Sequence, residues 1–217
     1  MLTPHEDQLA LLLEHTDESV GTPSHHPMHA SAVVPWREPQ PHETLEATAN
    51  AIVRSVTGAS PAWIEQVAAF GDELAHPSES DLSVAFVALV PLGTPVPDGG
   101  RLSWFKLDSL PELSSRQQKI VQSAVSAVRD RMDLSPVAFR LLPLSFTLSE
   151  LQQMYELLLG KRLHKASFRR ALQAAWLVEP TDEWRSEGRG RPAQLYRYAP
   201  KKRRKGRRGV RFDLLTP

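Results

Sequence analysis

"FTLSELQQMYELLLGKRLHKASFRRALQAAWLVEP", Phe146 to Pro180, decides how the basic end of this chain folds. Thr147 and Glu150 stand at the T-x-x-E spacing of a capping box, where a hydroxyl and a carboxylate satisfy two amides of a helix start. Leu148, Leu151, Tyr155 and Leu158 follow as a buried stripe, and Gly160 supplies the left-handed stop. A second helix is predicted over 165–175, with Phe168, Ala171, Leu172 and Ala175 on its inward face. "AWLVEP", a polar loop and "AQLYRYA" then read as a two-stranded hairpin. Helix, turn, helix, hairpin is the order of a winged helix.

That order assigns roles to charged side chains. On the second helix Ala166, Arg170 and Gln173 lie opposite the apolar face, Ser167 and Arg169 lie at its edges, and Lys165 starts it. Such a face fits a major groove, where Arg can bond guanine, Gln adenine, and Ala a thymine methyl; the plainer reading is a solvated face. In the loop "SEGRGRPA", Arg189 and Arg191 sit among glycines and a proline, so two guanidinium groups can approach a narrow minor groove. "KKRRKGRRG", Lys201 to Gly209, has no apolar residue with which to fold alone. Lys201, Lys202, Arg203 and Arg204 are expected to grip phosphates, which position without specifying.

Charge separates this end from the rest of the 217 residues. Residues 1–159 hold 9 Lys and Arg against 20 Asp and Glu, and residues 160–217 hold 17 against 5. The net +1 therefore hides halves of about −11 and +12, an acidic body joined to an end that attracts polyanions. Cysteine is absent, which excludes disulfides and thiolate chemistry. The longest apolar run, "VAFVALVPL", falls well short of the roughly 20 residues of a spanning helix. A cytoplasmic, membrane-free protein is expected.

In the acidic body "DQLALLLEH" reads as a buried strand, followed by a long loop over 16–41 rich in Pro, His and Ser. A helix is predicted from Glu43 to Thr57, with Leu45, Ala49, Ile52, Val53 and Val56 inward and Gly58 ending it. "WIEQVAAF", "LSVAFVALVP" and "RLSWFKL" read as strands, the second apolar on both faces and so interior to a sheet. "SSRQQKIVQSAVSAVRDRM" is an amphipathic helix with Ile120, Val121, Ala124, Val125, Val128 and Met132 inward. The prolines of 134–145 suggest a linker. The loop histidines His25, His26 and His29 are spaced as metal ligands, but no carboxylate or thiolate adjoins them, and no metal is expected. Trp36, Trp63 and Trp104 could stack on an adenine or pack the core.

Taken together, "WIEQVAAFGDELAHPSESDLSVAFVALVP", "SWFKLDSLPELSS" and the Phe146 to Tyr198 stretch with its "GRGRPAQLYRY" resemble the Nudix-related transcriptional regulators of the NrtR type. The likeness runs over about residues 9–200. It implies an α+β protein with an N-terminal Nudix-like α/β/α sandwich on a mixed sheet and a C-terminal winged helix-turn-helix domain. The expected division is 1–133 for the Nudix-like domain, 134–145 for the linker, 146–199 for the winged helix and 200–217 for a basic tail. The resemblance further implies a bacterial repressor of NAD or sugar metabolism genes, a homodimer on a palindromic double-stranded operator, and ADP-ribose or a related nucleotide as the effector. Against the family, the chain begins at what looks like its second strand, so a first strand is expected to be absent, supplied differently, or lost to a late start codon.

A Nudix hydrolase carries G-x5-E-x7-R-E-U-x-E-E-x-G-U, whose helix carboxylates hold the divalent metals on a pyrophosphate. With Gly58 as anchor, Glu43 matches the first Glu and Val53 the apolar position. Arg37 replaces the first Gly, Ala51 the Arg, and Ile52, Ser55 and Val56 the three later Glu. Hard cations require oxygen ligands, and this face offers one hydroxyl. No hydrolysis and no cofactor are expected. The alternative is a Nudix-type nucleotide pyrophosphatase tethered to nucleic acid.

Overall fold

The computed structural model describes residues 1–6, 8–16, 31–71, 80–91, 93–95, 100–132, 136–186 and 192–200. The chain divides into two compact units, Met1–Val128 and Arg129–Pro217. The first is built on a six-stranded mixed sheet. In chain order its strands are β1 (Leu2–His5), β2 (Gln8–His15), β3 (Ala32–Val33), β4 (Trp63–Phe70), β5 (Ser83–Leu89) and β6 (Leu102–Lys106). They run β3-β2-β1-β5-β4, with β6 paired to β2. Helix α1 (Leu45–Thr57) enters between β3 and β4, and α2 (Ser115–Arg131) follows β6.

Strand β2 is central because Leu9 to Leu13 are all buried, and it pairs antiparallel with β1, β3 and β6. Strand β5, apolar on both faces as its sequence requires, lies between β1 and β4, parallel to the first and antiparallel to the second. A strand not read from the sequence precedes β2: Leu2–His5 forms β1, with Leu2, Thr3 and Pro4 buried. Its Thr-Pro step and the polar residues after it break the alternation that marks a strand in sequence. Within the loop over 16–41, Ala32 and Val33 form a fully buried β3. Thr44 caps α1 by accepting from the Ala47 amide, and Gly58 ends it at φ 69°.

The second unit runs α3 (Val137–Arg140), β7 (Phe146–Thr147), α4 (Leu148–Leu159), α5 (Lys165–Ala175), β8 (Val178–Arg185) and β9 (Ala193–Tyr198). Its sheet has the order β7-β9-β8. The stretch 134–145, expected as a linker, instead contains α3, whose Val137 and Ala138 are completely buried. Phe139 from α3 joins an aromatic cluster with Phe146, Tyr155 and Tyr198, at ring separations of 5.8, 6.3 and 4.4 Å. Tyr155 in turn meets Phe168 edge-on at 5.4 Å. These rings tie α3, α4, α5 and the hairpin into one core, with each offset pair adding about 0.5–1.5 kcal/mol beyond its area.

Candidate nucleic-acid interface

The turn between α4 and α5 is held by a single carboxylate. Glu156 Oε1 accepts from the Leu163 amide at 2.9 Å and from Gln152 Nε2 at 2.9 Å, and its Oε2 accepts from Arg162 at 3.1 Å. Burial pushes its pKa up, but the Leu163, Gln152 and Arg162 hydrogen bonds outweigh it and the net shift is downward. Buried Leu163 pins the same turn to the core. His164 then caps α5, its Nδ1 accepting from the Ser167 amide and facing the Ser167 hydroxyl at 3.1 Å. An imidazole is not among the favoured caps, so sequence patterning alone does not point to it.

Helix α5 is anchored by Phe168 and Leu172, both essentially inaccessible. Lys165, Ala166, Arg170 and Gln173 are exposed on its outer side, and Ser167 and Arg169 are half-buried. Arg169 Nε is buried with no partner among the described residues. Ala166, Arg170 and Gln173 follow one another at spacings of four and three residues and so form a row facing away from the core, while Lys165 is exposed in the first turn. Trp176 ends the helix in the left-handed region at φ 52°.

The hairpin of β8 and β9 follows this helix. Pairing runs Val178↔Tyr198 to Arg185↔Ala193, with a register shift between Pro180 and Trp184 that Thr181 bridges by bonding the Leu195 carbonyl. At its far end Arg185 reaches back to Glu150 at 2.6 Å and to the Ser145 carbonyl at 3.4 Å. Glu150 meanwhile completes the capping box with Thr147. Trp184, beside Arg185, is 56% exposed. Arg189, Arg191, Lys201, Lys202, Arg203 and Arg204, expected at the wing and tail, lie outside the described residues, as do His25, His26 and His29.

In the first unit a cavity of about 420 Å³ opens among α1, α2 and the sheet. Its walls are mainly apolar, including Leu45, Ile52 and Val53 of α1 and Ile120 and Val121 of α2. The polar groups are few. Gln117, almost wholly buried, accepts from the Val34 amide at 3.0 Å, and Arg37 leaves its Nε buried without a partner among the described residues. Trp36 lines the mouth, Trp63 is buried, and Trp104 packs on the Val53, Ala88, Val90 cluster.

Of the positions aligned with the Nudix box, Arg37 and Ile52 line this cavity. Glu43 is committed to the Arg37 guanidinium and to the Gln40 amide at 2.9 Å, and these bonds, the Gln40 amide first, hold its carboxyl below its ordinary pKa. Ile52 lines the cavity, Val56 is buried, and Ser55 is exposed with its hydroxyl turned back onto the Ile52 carbonyl. Ala51 is half-buried and Gly58 exposed. Among the described residues no group of three acidic or histidine side chains is placed to hold a metal ion. No described helix is long and apolar enough to cross a membrane.

Comparison with known proteins places these geometries. Residues 138–198 match the NrtR DNA-binding winged helix domain. The chain is 30% identical over 162 residues, 72% of its own length, to the ADPR responsive transcriptional repressor NtrR of Acinetobacter baylyi; it spans 64% of that relative. The fold superposes on Shewanella oneidensis NrtR complexed with a 27mer DNA with a TM-score of 0.71 and 27% identity, covering 92% of this chain and 90% of that one. A MutT/nudix family protein from Enterococcus faecalis, 19% identical, shares the fold with a TM-score of 0.63.

Proposed function

We propose, from the match of residues 138–198 to the NrtR DNA-binding winged helix domain and the likeness to NrtR along the chain, that this is a Nudix-related regulator of the NrtR type: a bacterial transcriptional repressor that binds operator DNA and releases it to ADP-ribose or a related nucleotide. The observation that carries the reading is the row of Arg170 and Gln173, with Lys165 exposed at the helix start, on an α5 anchored by Phe168 and Leu172, inside the segment that matches a DNA-binding winged helix. Ser167 and Arg169 complete the major-groove contact, Arg189 and Arg191 supply the wing, and Lys201, Lys202, Arg203 and Arg204 add phosphate grip. The protein acts as a homodimer on a palindromic site in the cytoplasm, upstream of NAD or sugar metabolism genes.

The Nudix-like unit is a receptor and not a hydrolase in this reading. Its cavity of about 420 Å³ lies in the range of roughly 300–1,000 Å³ over which small-molecule sites occur, and Ile52 leaves it an apolar wall at a place where a Nudix box would put a carboxylate. Gel-shift titration on DNA from upstream of its own and neighbouring genes, with and without ADP-ribose, tests both claims. Expected are a sequence-selective shift and its reversal by ADP-ribose, equally in Mg2+ and in EDTA. Metal-dependent turnover of ADP-ribose would establish the pyrophosphatase alternative instead.

A further inference from the structure

The capping box of α4 does more than start a helix. Glu150 Oε2 accepts from the Thr147 amide at 2.7 Å, and the Thr147 hydroxyl accepts from the Glu150 amide at 3.1 Å. Those two bonds complete the cap and leave Oε1 free. That second oxygen meets Arg185 at 2.6 Å, across 35 residues of sequence, and Arg185 also spans to the Ser145 carbonyl just ahead of β7. Arg185 is the last residue of β8 and pairs with Ala193, the first of β9, so it stands at the mouth of the hairpin loop. Nearer the base the hairpin is tied by β9 to β7, through Phe146↔Tyr196 and Thr147↔Leu195. Between these ties the ladder of β8 and β9 is interrupted from Pro180 to Trp184. A ladder interrupted there transmits orientation poorly, so the far end needs its own fixation to the helical body.

We infer that Glu150 is a positioning residue for DNA binding: one oxygen caps α4 while the other clamps Arg185, fixing the far end of the hairpin against the element that precedes the reading helix. The inference rests on the DNA-binding reading above. Both side chains are about a third exposed, so the pair adds little to global stability. Its effect is to settle, before DNA arrives, an orientation that would otherwise be ordered during binding at a cost in affinity.

Glu150→Gln separates the two duties, because the amide oxygen can still accept from the Thr147 amide while the charge facing Arg185 is lost. The probe is a duplex selected by the parent chain from a randomised pool, compared with a random duplex of equal length. Glu150→Gln and Arg185→Ala are each expected to weaken binding to the selected duplex about three- to tenfold, with the double variant no weaker than either alone. Thr147→Ala, which removes the cap hydroxyl and keeps the clamp, should lower the melting temperature yet leave the ratio of selected to random binding intact. Without DNA, amide exchange at Trp184, Arg185, Ala193 and Gln194 should quicken in Glu150→Gln and not in Thr147→Ala. Unchanged exchange at the hairpin in Glu150→Gln, or additive losses in the double variant, would overturn the clamp. A parent chain that binds no duplex at all would sink the DNA-binding reading, while the exchange comparison would still decide whether the clamp exists.

Discussion

Glu156 shows how much of a reading head can depend on one side chain. Its carboxylate accepts from the Leu163 amide, Gln152 and Arg162, and so sets the turn from which α5 departs. Glu156→Ala should cost about 1–3 kcal/mol at neutral pH, since hydrogen bonds to a charged acceptor are lost and a part-buried amide is left unmatched. The sign of its pH dependence follows from the lowered pKa. The folded state favours the carboxylate, so the stabilisation is complete above the unfolded value of 4.5 and disappears as pH falls through the lower folded value. Urea titrations of parent and variant should therefore differ at neutral pH and converge in acid; a gap that widens in acid would contradict this role. None of these partners is visible in the sequence, because residues 152, 156, 162 and 163 share no motif and meet only once the turn is made.

Among the elements, those with local signals were legible. The Thr147 and Glu150 cap, the Gly160 stop and the inward face of α5 can be read from spacing because each is fixed by contacts within a few residues. Helix α3 and strands β1, β3 and β7 could not be read this way, since elements of two to four residues hold too little sequence to display a period, and tertiary pairing alone defines them. The cavity escaped for a related reason: Gln117 lies on an amphipathic helix as a polar residue expected to face water, and only the folded packing turns it inward. For α5 itself the exposed row allows a sharp expectation. Arg170→Ala should relax base preference at one or two positions, by about 1–3 kcal/mol each, while neutralising Lys201 to Lys205 should weaken all duplexes about equally. Selection of binding sites from a randomised pool reads the first and affinity for random duplex the second. The reverse pattern would exchange the two roles.

Across the whole molecule, the two units carry opposite charge, and in the function proposed above polyanion binding falls to the smaller. If about six phosphates are neutralised, log K should fall against log salt with a slope near −5. Removing residues 201–217 should make that slope shallower without abolishing selectivity; a slope indifferent to the truncation would deny the tail its grip. The larger unit has taken a different course. With Ile52 lining the cavity and Val56 buried on the same helix, a single carboxylate restored at Val56 would be desolvated with no cation to meet it, a penalty of several kcal/mol. Only several replacements made together could rebuild a metal site. A single step back of that kind would cost stability and gain no chemistry, so a Nudix fold that serves as the receptor proposed above would be held to that occupation by the solvation of charge, as by a ratchet.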